Sequence, residues 1–137
     1  MIFQCNHFGI FELVPPELKD SKEANLWMLF PKKNLEVIDA LRDDYGKMYI
    51  NTWSWGGDLT QSGIRLPSSD YYSPTSQHSY ANAFDNHPQE EEVEKIRSDI
   101  MNRRFDYMEM ITGLELDVGW LHIDFRNYDG LFTFSSK

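Results

Sequence analysis

Two of the four histidines lie in segments whose residue types could bind a metal ion. His78 is followed by Asp85 after six intervening residues, and His122 lies in the strand-like segment 120–124. A catalytic zinc ion requires three protein ligands of the His, Asp or Glu type and an open position for water. His78, Asp85 and His122 could supply such a set, although each of them alone is more commonly a satisfied polar residue of a loop or strand.

The spacing within these segments resembles that of a family of zinc peptidases. Residues 76–85 have the pattern Ser-x-His-x6-Asp, and residues 120–124 have the pattern Trp-x-His-x-Asp. Residues 51–53 and 62–65 are similar to the family's preceding strand and to its Ser-Gly-aromatic-Arg segment. From position 51 to 127 the chain therefore resembles the zinc peptidases of the D-Ala-D-Ala carboxypeptidase and hedgehog fold, the peptidase M15-like group. This group includes L-alanyl-D-glutamate endopeptidases of phages and bacteria.

The resemblance implies a role for five residues of the motif. His78, Asp85 and His122 match the ligands of the family's zinc cofactor. Ser76 matches a residue near the bound peptide, and Arg65 matches an arginine that holds a substrate carboxylate or stabilises the reacting carbonyl. Arginine suits either task because its guanidinium is planar and always charged. A surface salt bridge is the alternative interpretation of Arg65.

Two further positions bear on the resemblance: Asp124 adds to the family pattern, and Ala81 departs from it. Asp124 lies two residues beyond His122 on the same face of a strand, where it could hold a ligand or a substrate group. Ala81 stands where the family has a glycine. A small residue fits there if the backbone does not need a positive φ. Asp124 is thus a candidate substrate-binding residue.

The family pattern does not fix the general base. Many relatives carry an acid three residues before the last zinc histidine, but here that position is Gly119. Asp117, five residues before His122, is our candidate, because some relatives place their acid–base group five or six residues upstream of that histidine. A turn after Asp117 would also place it at the open end of a hairpin. Glu115 lies two residues earlier on the same strand face. Asp117 could equally be a simple turn residue, so Asp117, Glu115 and no base at all stay open as alternatives.

Strand and helix patterns mix without a regular βαβ rhythm. We expect a hairpin of strands at 113–117 and 120–126. The other expected elements are a strand over 8–14, a short helix within 16–30, a helix over 35–45 capped by Asn34, a strand over 48–53, a long loop over 54–77, and a helix over 88–104 opened by Pro88. The predicted fold is α+β, a small antiparallel sheet flanked by helices. A length of 137 residues suits one domain, residues 1–137. The resemblance implies that this domain is like the hedgehog and D-Ala-D-Ala peptidases.

Composition argues against several other classes of protein. With 13 Lys and Arg against 22 Asp and Glu, the net charge is −9, which argues against a nucleic-acid partner because phosphate contacts need clustered cations. The single cysteine, Cys5, allows neither an internal disulfide nor a Cys-rich zinc ribbon. The longest apolar run, residues 26–30, is too short for a membrane span, and the N-terminus has no pattern of a secretion signal.

Together with the resemblance, these features predict a hydrolase. The leading hypothesis is a zinc metallopeptidase that cuts an amide bond in the stem peptides of peptidoglycan. The small single domain is similar to phage-encoded versions that degrade the cell wall as endolysins or as virion parts. We therefore expect it in the host cytoplasm or the virion, with other virion proteins as further partners. The alternative is a non-catalytic zinc-binding domain of the same fold, with a structural or interaction role, which Gly119 and Ala81 keep open.

Overall fold

The computed structural model describes residues 1–136 and shows an α+β fold. In this range one sheet contains five strands: β1 (Met48–Tyr49), β2 (Ala83–Pro88), β3 (Gly113–Leu116), β4 (Leu121–Asp124) and β5 (Phe132–Ser135). The α-helices are α1 (Glu23–Trp27), α2 (Lys32–Tyr45) and α3 (Val93–Met101). Short 3-10 helices occur at Ile10–Glu12, Pro16–Leu18, Trp53–Trp55, Gln77–Tyr80 and Asp106–Met110. No helix of the described chain is long and apolar enough to cross a membrane.

The sheet is mixed, not wholly antiparallel as predicted. Its strand order is β1-β2-β4-β3-β5, and the three pairings among the first four strands are antiparallel. The last strand, β5, runs parallel to β3. The α+β class is confirmed, but the antiparallel prediction is wrong at this edge. Both sides of β4 are occupied by β2 and β3, and the chain after β4 pairs with the free edge of β3.

Strand alternation gives the sheet a core face and a polar face. Phe84, Ile123 and Leu114 lie opposite one another on β2, β4 and β3, and all three are fully buried. The apolar sides of α2 and α3 join them in one hydrophobic cluster. The neighbouring strand residues Asp85 and His122 are paired across β2 and β4 and therefore point to the opposite face.

Helix α2 is present as predicted but begins three residues earlier. Pro31 occupies its N-cap position, and Lys32 is its first residue. Asn34 is not the cap that the sequence predicts. It is fully buried inside the helix, and its Nδ2 donates a hydrogen bond to the carbonyl oxygen of Ala81 at 3.3 Å. A polar residue near the start of a helix is often its cap, but here the Asn34 side-chain amide donates a hydrogen bond to the buried carbonyl of Ala81.

The sequence pattern does not predict β2, and it misplaces the start of the next helix. Pro88 is the last residue of β2, paired with Met48 of the edge strand β1, and α3 begins only at Val93. Proline opens many helices, but it also fits the end of a strand, where no ladder hydrogen bond is lost. Glu90, Glu91 and Glu92 therefore precede α3 and do not form its first turn.

The N-terminal strand predicted over residues 8–14 is wrong. This segment forms the 3-10 helix Ile10–Glu12, followed by Leu13 and Val14, which are completely buried. Its apolar run reflects burial in the core, because a short apolar run fits a buried helical turn as well as a strand. The predicted strand over 48–53 is likewise reduced to β1.

The predicted long loop wraps around the polar face of the sheet. Residues 56–76 contain no helix or strand. Backbone hydrogen bonds fix the segment 62–65 within it: Arg65 N–H donates to the His78 carbonyl at 3.0 Å, and Asp85 N–H donates to the Ser62 carbonyl at 2.8 Å. The loop is therefore fastened to β2 beside the residues of the predicted motif.

Candidate metal centre

Three elements bring the three predicted ligands together. The register of β2 and β4 places Asp85 opposite His122 on the polar face of the sheet. His78 comes from the 3-10 helix Gln77–Tyr80, which precedes β2. Ser76 is the N-cap of this helix, and its Oγ accepts a hydrogen bond from the His78 N–H at 3.2 Å. Ser76 thus lies at the site and orients the turn that carries His78.

Ala81 connects the 3-10 helix to β2 in a left-handed conformation. Its φ is 57° and its ψ is 32°, the region in which glycine is the usual residue. The chain therefore needs a positive φ at the position where the family has glycine, and alanine adopts it at a cost of about 1–2 kcal/mol. The conformation directs the chain from the helix into β2, so it helps set the distance between His78 and Asp85.

The three side chains converge on one point. His78, Asp85 and His122 are each 6% exposed or less, and one potential ligand atom from each lies within 4.8 Å of the other two. Asp85 Oδ1 lies 3.3 Å from His78 Nε2 and 2.9 Å from His122 Nδ1. Ligand atoms bound at 2.0–2.1 Å to one tetrahedral zinc ion stand about 3.3 Å apart. The residues present therefore fit a single metal ion.

The outer nitrogen of each histidine supports the same conclusion. His78 Nδ1 lies 2.8 Å from the carbonyl oxygen of Gly63, and His122 Nε2 lies 2.9 Å from Asp124 Oδ2. Both oxygens are acceptors, so each outer nitrogen donates its proton outward, and the inner nitrogen of a neutral ring would be left to bind a metal ion. Metal-binding histidines usually have this arrangement, in which a carbonyl or carboxylate holds the far ring nitrogen.

Asp124 is held in turn by an arginine that the sequence analysis missed. Arg126 Nε and Nη2 lie 2.8 Å and 2.5 Å from the two carboxylate oxygens of Asp124, and the guanidinium lies 4.7 Å from the ring centre of Phe134. Burial by itself raises the pKa of Asp124, but the hydrogen bonds from Arg126 and His122 outweigh it and lower the pKa to about 2. Asp124 thus orients His122. Arg126 follows Asp124 by two residues, and this spacing could have indicated the ion pair from the sequence.

Gly113 makes room for this carboxylate, and no sequence signal singled it out. It pairs with Asp124 across β3 and β4, and a Cβ atom at position 113 would overlap the Asp124 carboxylate. The pleat places directly opposite residues on the same face of the sheet. Only glycine therefore lets Asp124 lie over β3 while it bonds to His122.

Arg65 forms a partly buried ion pair, not the surface salt bridge considered from the sequence. Its Nη2 lies 3.1 Å from Asp85 Oδ2, and its Nε donates to the Gln61 carbonyl at 2.8 Å. Burial lowers the pKa of Arg65, while the charge of Asp85 opposes this shift. Because Arg65 occupies Oδ2, the other oxygen of Asp85 is left for the two histidines.

The charges of the centre are strongly coupled. Burial by itself raises the pKa of Asp85, but hydrogen bonds from His122 and His78 outweigh it and hold that pKa well below its usual range. Burial lowers the pKa of His122, but its hydrogen bonds to Asp124 and Asp85 raise it to about 9. In the metal-free protein at neutral pH, a protonated His122 therefore lies between two carboxylates.

The structure brings Glu115, and not Asp117, to the centre. Glu115 is buried and lines a cavity of about 310 Å³ together with the three ligands. We call this the metal cavity. Asp117 is exposed and does not line it. Strand β3 ends at Leu116, and Asp117 has a φ of 61°, so the turn breaks the alternation that would have put both acids on one face.

A second cavity adjoins the first and shares Arg65, Asp85 and Trp120 with it. Trp120 follows the turn between β3 and β4, and a buried arginine holds that turn. Arg97 of α3 donates from Nη2 to the carbonyl oxygens of Val118 at 2.7 Å and Trp120 at 2.8 Å. Neither residue was a sequence-predicted site residue, although Trp120 belongs to the family-like pattern.

Comparison of the chain with protein-family models, curated proteins and solved structures gives no match. The geometry of the site shows a buried group, His78, Asp85 and His122, that could hold a metal ion. The donor set of two imidazoles and one carboxylate is the kind that binds zinc.

We expect Gly113→Ala to weaken zinc binding about 10- to 100-fold, the usual effect of losing an outer contact of a metal ligand. The added methyl group would displace Asp124 from His122. Gly119→Ala is the matched control, since nothing lies within 4 Å of a Cβ at that position. Competition with a chromophoric chelator measures the affinities, and circular dichroism verifies folding. Equal zinc affinity in folded Gly113→Ala and in the parent would contradict this account of Asp124.

We expect the metal-free protein to lose stability as the pH rises from about 6.5 to 9. The folded-state pKa of His122 is raised to about 9, so the protonated ring stabilises the fold fully below the ordinary value of 6.5. That contribution, up to about 3 kcal/mol, is lost as the pH rises through 9. Urea unfolding in excess chelator at several pH values measures it. His122→Gln should remove most of the dependence, and His7→Gln should keep it.

Proposed function

We propose that this protein is a zinc-dependent peptidase that hydrolyses an amide bond in peptidoglycan stem peptides. One observation carries the proposal. His78, Asp85 and His122 converge on a single point, and the far nitrogen of each histidine is held by an oxygen acceptor. The order and spacing of these residues resemble the D-Ala-D-Ala carboxypeptidase and L-alanyl-D-glutamate endopeptidase group, which supports the choice of substrate.

The number of ligands favours a catalytic over a purely structural zinc site. Among residues 1–136 the metal-binding group has three members. Structural zinc sites usually have four protein ligands, whereas catalytic sites have three and one open position. A zinc ion held here would polarise the scissile carbonyl group and lower the pKa of water at the site.

Glu115 and Arg65 supply the protein's own contribution to the proposed reaction. The Glu115 carboxylate lines the metal cavity, where it accepts a proton from the attacking water and passes it to the nitrogen of the departing amine. Arg65 also lines this cavity, and its charge stabilises the oxyanion or holds a substrate carboxylate. Asp124 orients His122, so we assign it a positioning role in place of the substrate contact expected from the sequence.

The alternative proposal is a non-catalytic zinc-binding domain of the same fold. The observation that favours it concerns Gly119. This residue stands where many relatives carry the acid that acts as general base, and no atom lies within 4 Å of the position that a Cβ would take there. Such a domain would hold zinc without hydrolysis, as a structural or interaction module. In either case we propose a phage setting, the host cytoplasm or the virion, with other virion proteins as partners.

Release of soluble muropeptides from purified sacculi tests the function directly. We expect the zinc-loaded protein to release peptides with new amino termini, and a chelator to stop the release until zinc is restored. His78→Ala should lose both zinc and activity, whereas His7→Ala should keep both, because His7 bonds to Asp43 away from the site. Full zinc occupancy without any peptide release would favour the non-catalytic alternative.

Two acid variants identify the base. We expect Glu115→Gln to lower the rate by about 10²- to 10⁴-fold, the usual contribution of general acid–base catalysis. Its zinc content should be unchanged, because Glu115 is not a member of the metal-binding group. Asp117→Asn, an exposed acid two residues away, is the control and should keep its activity. A slow Asp117→Asn together with a fast Glu115→Gln would reverse the assignment.

A further inference from the structure

The metal centre depends on a turn that contains a strained residue. Ala81 joins the 3-10 helix that carries His78 to β2, which carries Asp85, and its φ is 57°. Residues with a side chain rarely adopt this left-handed conformation, because their Cβ atom then lies too close to the following backbone. Such a conformation persists only where the surrounding structure holds it in place. The contacts that hold Ala81 therefore also hold the two metal ligands on either side of it.

A buried side chain of helix α2 reaches this turn. Asn34 is fully buried, and its Nδ2 donates hydrogen bonds to the Ala81 carbonyl at 3.3 Å and to Asn82 Oδ1 at 3.0 Å. Ala81 is itself only 2% exposed, so the turn is shielded from bulk water at this residue. A single donor from the core thus binds the carbonyl of the strained residue and the side chain of the residue after it.

The hydrogen bonds continue from Asn82 to the wall of the metal cavity. Asn82 Nδ2 donates to Gln77 Oε1 at 2.6 Å, and the Asn82 N–H donates to the Gln77 carbonyl at 3.0 Å. Gln77 lines the metal cavity and directly precedes His78. The side-chain amides of Asn34, Asn82 and Gln77 therefore connect the core to the residue beside a metal ligand.

The position of Asn34 in the core is costly for the fold. The neighbouring helix residues Leu35 and Ile38 are fully buried and belong to the hydrophobic cluster. Asn34 Oδ1, by contrast, is a buried acceptor with no hydrogen-bond partner in the described chain. An unpaired buried acceptor destabilises a fold, so packing does not account for an asparagine at this position. What asparagine adds over an apolar residue is the donor at Nδ2.

We propose that Asn34 is a positioning residue of the metal centre, which acts through the turn at Ala81 and contacts neither metal nor substrate. Its hydrogen bonds keep Ala81 left-handed before a metal ion binds, so His78 and Asp85 are already close together. Without this donor the metal-free turn relaxes toward the conformations that alanine prefers. The apparent metal affinity then falls in proportion to the fraction of molecules that keep the competent turn. The inference rests on the proposed zinc binding and not on hydrolysis.

Competition for zinc with a chromophoric chelator tests this role. Leucine has a volume similar to that of asparagine but no donor, and we expect Asn34→Leu to bind zinc about 10-fold more weakly, the factor that a net hydrogen bond can supply. Ile38→Val, one helical turn further along α2, is the matched control. It removes core packing but no contact of the turn, so it should lower the stability and keep the zinc affinity. Circular dichroism verifies that each variant is folded.

The Ala81→Gly substitution separates positioning from a merely structural role. Glycine adopts the left-handed conformation about as readily as the right-handed one, so it does not need the donor of Asn34. In the Asn34→Leu background Ala81→Gly should therefore restore most of the zinc affinity, whereas in the parent it should leave the affinity nearly unchanged. If Asn34→Leu alone does not fold, the same glycine should restore both folding and zinc binding. Equal zinc affinity in the parent and in folded Asn34→Leu, or a defect that Ala81→Gly does not reduce, overturns the inference.

Hydrogen exchange reports the turn without any metal. The Asn82 N–H bonds to the Gln77 carbonyl, so its protection measures how often the turn opens. In excess chelator it should exchange about 10-fold faster in Asn34→Leu than in the parent, the same factor as for zinc binding. Unchanged protection, or a parent that binds no zinc, overturns the inference. Weaker zinc binding by Asn34→Leu, restored by Ala81→Gly, supports the inference even where the parent hydrolyses no peptide, a result that would overturn only the peptidase.

Discussion

Asp85 presents one carboxylate oxygen to His78 and His122 and the other to Arg65, while its backbone N–H binds the Ser62 carbonyl. Burying a carboxylate is costly unless it is paired and hydrogen-bonded. Here the partners come from three separate parts of the chain: the long loop, the 3-10 helix before β2, and β4. Pairing this single charge therefore fixes the loop, the helix and the sheet relative to one another. The same pairing leaves the two histidines aimed at one point, where a cation can replace the proton that His122 otherwise holds.

The contacts outside the centre follow from this arrangement. His122 can face Asp85 only while Asp124 holds its other nitrogen, and Asp124 fits only because Gly113 carries no side chain. Arg126 then keeps Asp124 ionised. A site whose ligands are locked by a further layer of hydrogen bonds is already organised before metal or substrate binds. Two cavities meet at Asp85, so open space adjoins the centre on both sides.

Local patterns predict only part of the fold. The period of the apolar residues predicts α2, α3 and the hairpin of β3 and β4, because amphipathic periodicity is a property of a short stretch of chain. The same local reasoning misses β2 and β5 and assigns a strand to residues 8–14. The pairing of β2 with β4, and of β5 with β3, is decided by segments far apart in sequence. A local sequence pattern does not indicate which edge of a sheet is free to pair.

The candidate site divides in the same way. The sequence by itself determined which residues could bind a metal, since the types and the spacing of His78, Asp85 and His122 are properties of the sequence alone. Only the tertiary structure decided that Glu115, and not Asp117, reaches the cavity. Strand alternation would put both acids on one face, but the left-handed backbone at Asp117 turns its side chain away. The physical reason is that residue types are fixed locally, whereas the direction of a side chain depends on backbone rotations that the packing of the whole fold selects.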